Sequence, residues 1–175
     1  MKSLLKALLL GSALLAALVT RADVIQVTSN LSGTVTWRST NEYVLNGFIY
    51  VLADGVLNIE PGTVIRGKAG TGLSSSALIV TRGAKIFASG TRAKPIVFTS
   101  ETDDLTDPND LPLWQRGLWG GLVIYGKSVL NTVADVSGAA ASPKYDVFEG
   151  LPDNQVGGQF VNRFGGNDDE DNSGV

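Results

Sequence analysis

Glycines recurring at a fixed interval, short β-rich runs between them and a scarcity of hairpin turns predict an all-β chain, specifically a right-handed parallel β-helix. The first observation is compositional. The chain has 21 glycines, 6 prolines and neither cysteine nor histidine in 175 residues. Its Val, Ile, Leu and Thr gather in brief runs, as in a chain of many short strands and turns. The second is a repeat. VLADGVLNIEPGTVI (51–65) lies over IVTRGAKIFASGTRA (79–93), so that Gly55 and Gly62-Thr63 recur 28 positions later as Gly83 and Gly90-Thr91. The third concerns turns: only Asp54-Gly55 and Asn46-Gly47 have the form of a two-residue hairpin loop. A β-sandwich of hairpins is the alternative that this leaves.

In chain order, the N-terminus carries Lys2 and Lys6, then an apolar run of 13 residues from Ala7 to Val19, then Thr20-Arg21-Ala22. This is the layout of a cleavable secretory signal peptide, residues 1–22, with the cut near Ala22-Asp23. The run is shorter than the roughly 18–20 residues a bilayer span needs. Without a cysteine after the run, lipidation of a mature N-terminal Cys is excluded. The domain then occupies 23–175. In each repeat a β-rich run enters a turn, a short strand follows, and a second turn at Pro61-Gly62 or Ser89-Gly90 leads to another strand. Proline fixes φ and glycine reaches angles that other residues avoid, so such pairs make corners. A looser third copy, GLVIYGKSVLNT (121–132), puts Gly126 in the role of Gly83, 43 positions on. The excess is the acidic insertion TSETDDLTDPNDLPLWQRGLW, a loop over 99–119 leaving the coil sideways. Parallel pairing of successive coils would stack Leu57, Ile59, Ile86, Ala88 and Val123 inside. A second long loop is expected over 133–170.

Charge and missing residue types exclude several classes. Removing residues 1–22 takes away three basic residues and no acid, leaving 11 basic against 17 acidic residues and a formal charge of −6. Glu101 to Asp171 holds 13 of the 17 acids. A basic track for phosphates is absent, which argues against a nucleic-acid partner. Without Cys or His there is no disulfide staple, no Ser-His-Asp or Cys-His nucleophile and no ordinary zinc site.

From Thr36 onward the sequence resembles a family of exported bacterial cell-surface and hypothetical proteins with a right-handed β-helix. The resemblance rests on TWRSTNEYVLNGFIYV (36–51), LNIEPGTVIRGKAG (57–70), ALIVTRGAKIFASGTRAKPIVFTSE (77–101), RGLWGGLVIYGKSVLNT (116–132), FEGLP (148–152) and DDEDNSGV (168–175). It implies fold and export, and it carries no chemistry to named residues. In such proteins a DNSG-like stretch precedes a further strand and further coils. The expectation is therefore an N-terminal portion of a longer β-helix, truncated at its C-terminus.

Candidate sites are few. Asp168, Asp169 and Asp171, after Gly165-Gly166-Asn167, offer carboxylate oxygens suited to calcium, although such strings are commonly a solvated loop. Glu101, Asp103, Asp104, Asp107 and Asp110 form a second acidic group in turn-forming sequence. Trp114 and Trp119, with Tyr125, flank the insertion and could stack on sugar rings; the plainer role for Trp119 is to pack the insertion onto the coil. Trp37 is expected to cover the first coil. Arg92-Ala93-Lys94 has the form of a catalytic Arg-x-Lys but sits at a corner. The function expected is a secreted, periplasmic or surface-attached β-helix with a structural or adhesive role, its long loops meeting a surface glycan or protein. One alternative is a polysaccharide lyase or hydrolase, for which the visible coils offer only Arg82 and Lys85 as bases, so that its site would lie in further C-terminal coils. Another is a calcium-stabilised stalk.

Overall fold

The computed structural model describes residues 22–112, 114–130 and 145–174; the signal-peptide reading of 1–22 falls almost wholly outside them. Ten strands build the solenoid: β1 (Asp23–Val27), β2 (Thr34–Trp37), β3 (Asn41–Leu45), β4 (Phe48–Val51), β5 (Val56–Ile59), β6 (Val64–Gly67), β7 (Ala77–Val80), β8 (Lys85–Phe87), β9 (Val97–Ser100) and β10 (Gly121–Ile124). They stack into three parallel sheets: A, ordered β1-β3-β6-β9; B, ordered β4-β7-β10; and C, ordered β2-β5-β8. From β2 onward every third strand returns to the same sheet one coil higher, while β1 pairs directly with β3; this is a right-handed parallel β-helix. The sandwich alternative fails on this pairing. Asn46-Gly47 and Asp54-Gly55 are corners between sheets, not hairpin loops. At the corner Glu60–Thr63, the Thr63 N–H donates to Glu60 O at 3.2 Å and Gly62 takes φ +92°. Pro61 ahead of a left-handed glycine is the sequence a type II turn requires.

Alternation in each strand sends one residue set into the lumen. Leu45, Ile65, Leu57, Ile86, Ile49, Leu78, Val51 and Val80 form the central cluster, most of them wholly buried. Trp37 lies in the lowest coil, its ring stacked on Tyr43 with centroids 4.7 Å apart. Of the five residues expected inside, Leu57, Ile59 and Ile86 are there. Ala88 is exposed just past β8, and Val123 faces outward. The ladder also shifts the repeat. Val56 pairs with Lys85 and Val51 with Val80, an offset of 29 where the glycines suggest 28.

The central strand of sheet B, β7, is buried on both faces, and its ALIV reads as one continuous apolar run, as such strands do. Ile49, Val51, Leu78 and Val80 face the lumen, while Tyr50, Ala77, Ile79 and Tyr125 form a second cluster outside with Val161, Phe164 and Leu151. The cover comes from the segment expected as a long loop. Its described part forms two short antiparallel ladders, β11 (Asp146–Val147) with β14 (Arg163–Phe164) and β12 (Gln155–Val156) with β13 (Gln159–Phe160). Turn chemistry hid these two-residue strands, which have no room for a periodic pattern. At the far end the Gly174 N–H donates to Ala84 O at 2.7 Å, the bond that Lys85 makes to Gly55 and Val56 to Gly33 in the coils below.

Candidate functional site

Two polar clefts lie where lateral segments fold against the solenoid. The first is a groove of about 570 Å³ on the outer face of sheet A, walled by the start of the insertion. Alternation turns Tyr43 and Leu45 inward and Glu42 and Val44 outward; on β6 it turns Arg66 outward. The register sets Val44 opposite Arg66, one outward position from Glu42, and the Arg66 Nε donates to Glu42 Oε1 at 2.7 Å. The same guanidinium donates to the carbonyls of Ser100 and Asp103. Around it the acids are already engaged. Glu101 accepts from the Ala69 amide at 3.2 Å, and the Thr99 hydroxyl donates to Asp103. Asp104 is held below the ordinary carboxylate range by the Thr106 hydroxyl and then by the Thr106 amide.

The second cleft, about 440 Å³, lies between the corners that leave sheet B and the folded arm 145–168. Its floor is Ala53, Thr81 and Arg82. Its walls include Gln159, Phe160 and Gly165 to Asp168. Arg82 is fixed by its Nη1, which donates to Gly165 O at 2.7 Å. Burial lowers the Arg82 guanidinium from its ordinary value, and repulsion from Arg163 adds to this. Lys127 reaches back across the corner below. A Cβ built on Gly83 would stand 3.0 Å from the Lys127 Nζ, so this glycine, at φ +86°, leaves room for the ammonium. Gln159 Oε1 accepts from the Ala53 amide at 3.0 Å, tying the arm to the solenoid. Arg163 is spoken for: two donations at 2.7 and 2.6 Å engage Asp153, and the guanidinium lies 3.2 Å from the Phe160 ring centroid. This pairing with Asp153 raises Arg163, and Asp153 is lowered by the same hydrogen bonds.

The residues singled out from the sequence are dispersed. Asp171 accepts from the Lys127 amide and from the Ser173 hydroxyl and amide. Burial alone would raise its carboxyl, and these donors together outweigh burial and hold it low. Asp169 accepts from the Val129 amide at 3.2 Å and Asp168 from the Glu170 amide at 3.2 Å. Each thus serves as an acceptor for backbone amides, and among the described residues no three acidic groups converge as metal ligands, in this string or in 101–110. Trp119 packs against the lumen cluster over Gly67, where a Cβ would stand 2.6 Å from its Cδ2. Trp114 is 77% exposed. Tyr125 is 2% exposed, its hydroxyl buried without a hydrogen-bond partner among the described residues and raised by that burial. Arg92 and Lys94 lie on an exposed loop closed by Thr91 and Lys94 amides bonding across it. Lys85 Nζ donates to Asn172 Oδ1 at 3.1 Å.

Of the groups that line the clefts, Arg82 was legible as one of two bases, the other being Lys85 outside them; Lys127 and the Glu42–Arg66 pair were not. The signal for the pair was present in the outward positions of NEYVL and VIRG, once the register between them is known.

No curated protein and no solved structure matches this chain. The three stacked parallel sheets, the apolar lumen and the lateral loops at the corners are those of one architecture, and the pectate-lyase-like beta-helix domain family matches residues 28–175: the chain belongs to that family.

Proposed function

We propose that this is an exported β-helix domain with a structural, adhesive role, holding an extracellular partner rather than transforming it. The observation that carries the reading is where the polar surface lies. Both polar clefts are built by lateral segments against a rigid solenoid, and most of their charges are locked in pairs or backbone hydrogen bonds. Groups held this way present fixed donors and acceptors, as binding surfaces do. The carboxyls with a resolved shift, Asp104, Asp153 and Asp171, are all lowered. A general acid working near neutral pH needs the opposite shift.

A second reading is favoured by one group. Arg82 is depressed by burial and by Arg163, the direction that would suit a base in a polysaccharide lyase. One experiment separates the two. The chain is incubated with a panel of soluble polysaccharides, scoring retention on immobilised glycan and the ultraviolet absorbance of the conjugated double bond that β-elimination leaves. Retention without new absorbance supports the adhesive role. Absorbance that grows with time and disappears in Arg82→Gln would replace it with the lyase.

A further inference from the structure

We propose that the folded arm is a flap: residues 145–164 swing away from sheet B as one unit about Gly165, and the buried Tyr125 hydroxyl sets how easily they do so. The proposal goes beyond the adhesive reading and does not depend on it.

The arm is bonded chiefly to itself. Its ladders pair β11 with β14 and β12 with β13. The Phe148 amide donates to Asn162 O, the Leu151 amide to Phe148 O and the Val161 amide to Asn154 O. Arg163 grips Asp153 and lies against Phe160, while the Asn162 Nδ2 donates to Pro152 O and Asn154 Oδ1. All of these partners lie within the arm, so it can leave the solenoid without unfolding. Among the described residues just two hydrogen bonds join 145–164 to the coils, and no arm strand extends sheet B. The Tyr50 hydroxyl donates to Asn162 Oδ1 and the Ala53 amide to Gln159 Oε1, both at 3.0 Å. From Gly165 onward the chain is pinned to the solenoid. The Gly165 amide donates to Gly126 O at 2.8 Å, its carbonyl accepts from Arg82, and the Gly166 amide donates to Ser128 O at 3.1 Å. Gly165 takes φ +84°. A left-handed glycine between an internally bonded segment and a pinned one is where a hinge absorbs rotation.

The closed state is imperfectly satisfied. Apolar contact holds it, with Val161, Phe164 and Leu151 against Tyr50, Ile79 and Tyr125. The rings of Phe148 and Phe164 stand 5.9 and 6.3 Å from that of Tyr125. The arm supplies a partner to one of the tyrosines it covers and not to the other. Tyr50 has Asn162, whereas the Tyr125 hydroxyl is buried with no partner among the described residues. Water satisfies that hydroxyl once the arm lifts, so burying it opposes closure. Packing is incomplete as well: clefts of about 350 and 250 Å³, each lined by sheet B and by Phe148, lie along the contact. Opening also dismantles the second polar cleft, since Gln159 and Phe160 leave with the arm.

Hydrogen exchange of the full chain under native conditions, read amide by amide by NMR, tests the flap. The amides of Phe148, Leu151 and Val161 are expected to exchange together and ahead of Ile65 and Leu78 in the lumen, as a cooperative unit of low local stability does. Tyr125→Phe keeps the ring and removes the stranded hydroxyl. It should slow exchange in the arm by about tenfold and leave the lumen amides unchanged. Tyrosine nitration reads the same opening in the wild-type chain. Tyr50 and Tyr125, buried beneath the arm, should react in the native protein, and Tyr43, buried against Trp37, only on global unfolding. The proposal is overturned if arm and lumen amides exchange at one rate, or if Tyr125→Phe leaves arm exchange unchanged or speeds it. It is overturned equally if Tyr43 is nitrated as fast as Tyr50 and Tyr125, a result that decides the matter should the variant fail to fold.

Discussion

Asn162 is the side chain on which docking of the arm turns, and Asn162→Ala should undock it without melting the solenoid. Asn162 is wholly buried. Its Oδ1 accepts from the Tyr50 hydroxyl at 3.0 Å, and its Nδ2 donates to Pro152 O and Asn154 Oδ1 at 2.8 Å each. Truncation removes three bonds worth about 1 kcal/mol each, and it strands the Tyr50 hydroxyl in an apolar cluster at a further ~1–3 kcal/mol. Tyr50 does not escape by ionising, since burial raises its pKa. The expected loss is about 4–6 kcal/mol, confined to the arm, because in a solenoid each layer depends only on its neighbours. Hydrogen exchange reads this directly. The amides of Phe148 and Val161, which bond to Asn162 O and Asn154 O, should lose protection, while Ile65 and Leu78 in the lumen keep theirs. Tyr50→Phe removes the stranded hydroxyl, so the double variant should be less destabilised than the sum of the singles. A change under about 0.5 kcal/mol in Asn162→Ala, or protection lost evenly through sheets A and B, would refute the reasoning.

Gly67→Ala places a methyl group where Trp119 Cδ2 and Cβ lie 2.6 and 2.8 Å away. Overpacking of this kind should cost about 1–3 kcal/mol in urea unfolding and shift the indole emission; unchanged emission would show that Trp119 does not rest there. Acid should weaken the C-terminal turn in a defined window. Asp171 and Asp153 are lowered in the fold, so their stabilisation is whole above the ordinary carboxylate pKa of about 4 and is lost as pH falls through the folded values. Asp171→Asn should flatten that part of the stability–pH curve, and a curve that keeps its shape would assign the acid sensitivity elsewhere. Millimolar calcium should move Tm by no more than about a degree, since binding to the native state raises stability only where ligands are available. A rise of several degrees that Asp169→Asn abolishes would show that the string 168–171 releases its backbone amides to take the ion.

How far the sequence could be read depended on what each residue was for. Lumen alternation was legible because burial has period 2, and Leu57, Ile59 and Ile86 followed it. The one-residue error in the repeat came from matching glycine to glycine. Gly83 is needed for its left-handed backbone, whereas Gly55 stands where a Cβ would lie 2.9 Å from Leu52 O and from Val51 Cγ1. The two answer different demands at adjacent positions, and the ladder sets Ala84, not Gly83, at the level of Gly55. Because a one-residue slip moves every side chain to the other face, the error mattered most for outward residues such as Val123. The second cleft was out of reach for another reason. Arg82, Lys127 and Gln159 are far apart in sequence, and only docking of the arm brings them together.

The corner between sheets A and B grows from residues 46–47 to 68–76 to 101–120 in successive coils, while the strands on either side remain four or five residues long. The ladder is indifferent to what is spliced between Leu45 and Phe48 or their equivalents, because closing a longer loop costs only slowly more entropy. This edge is therefore a graft point. Selection, or an engineer, can rewrite the projecting segments coil by coil, and the stacked backbone will hold each new one a fixed 4.7–4.9 Å above the last.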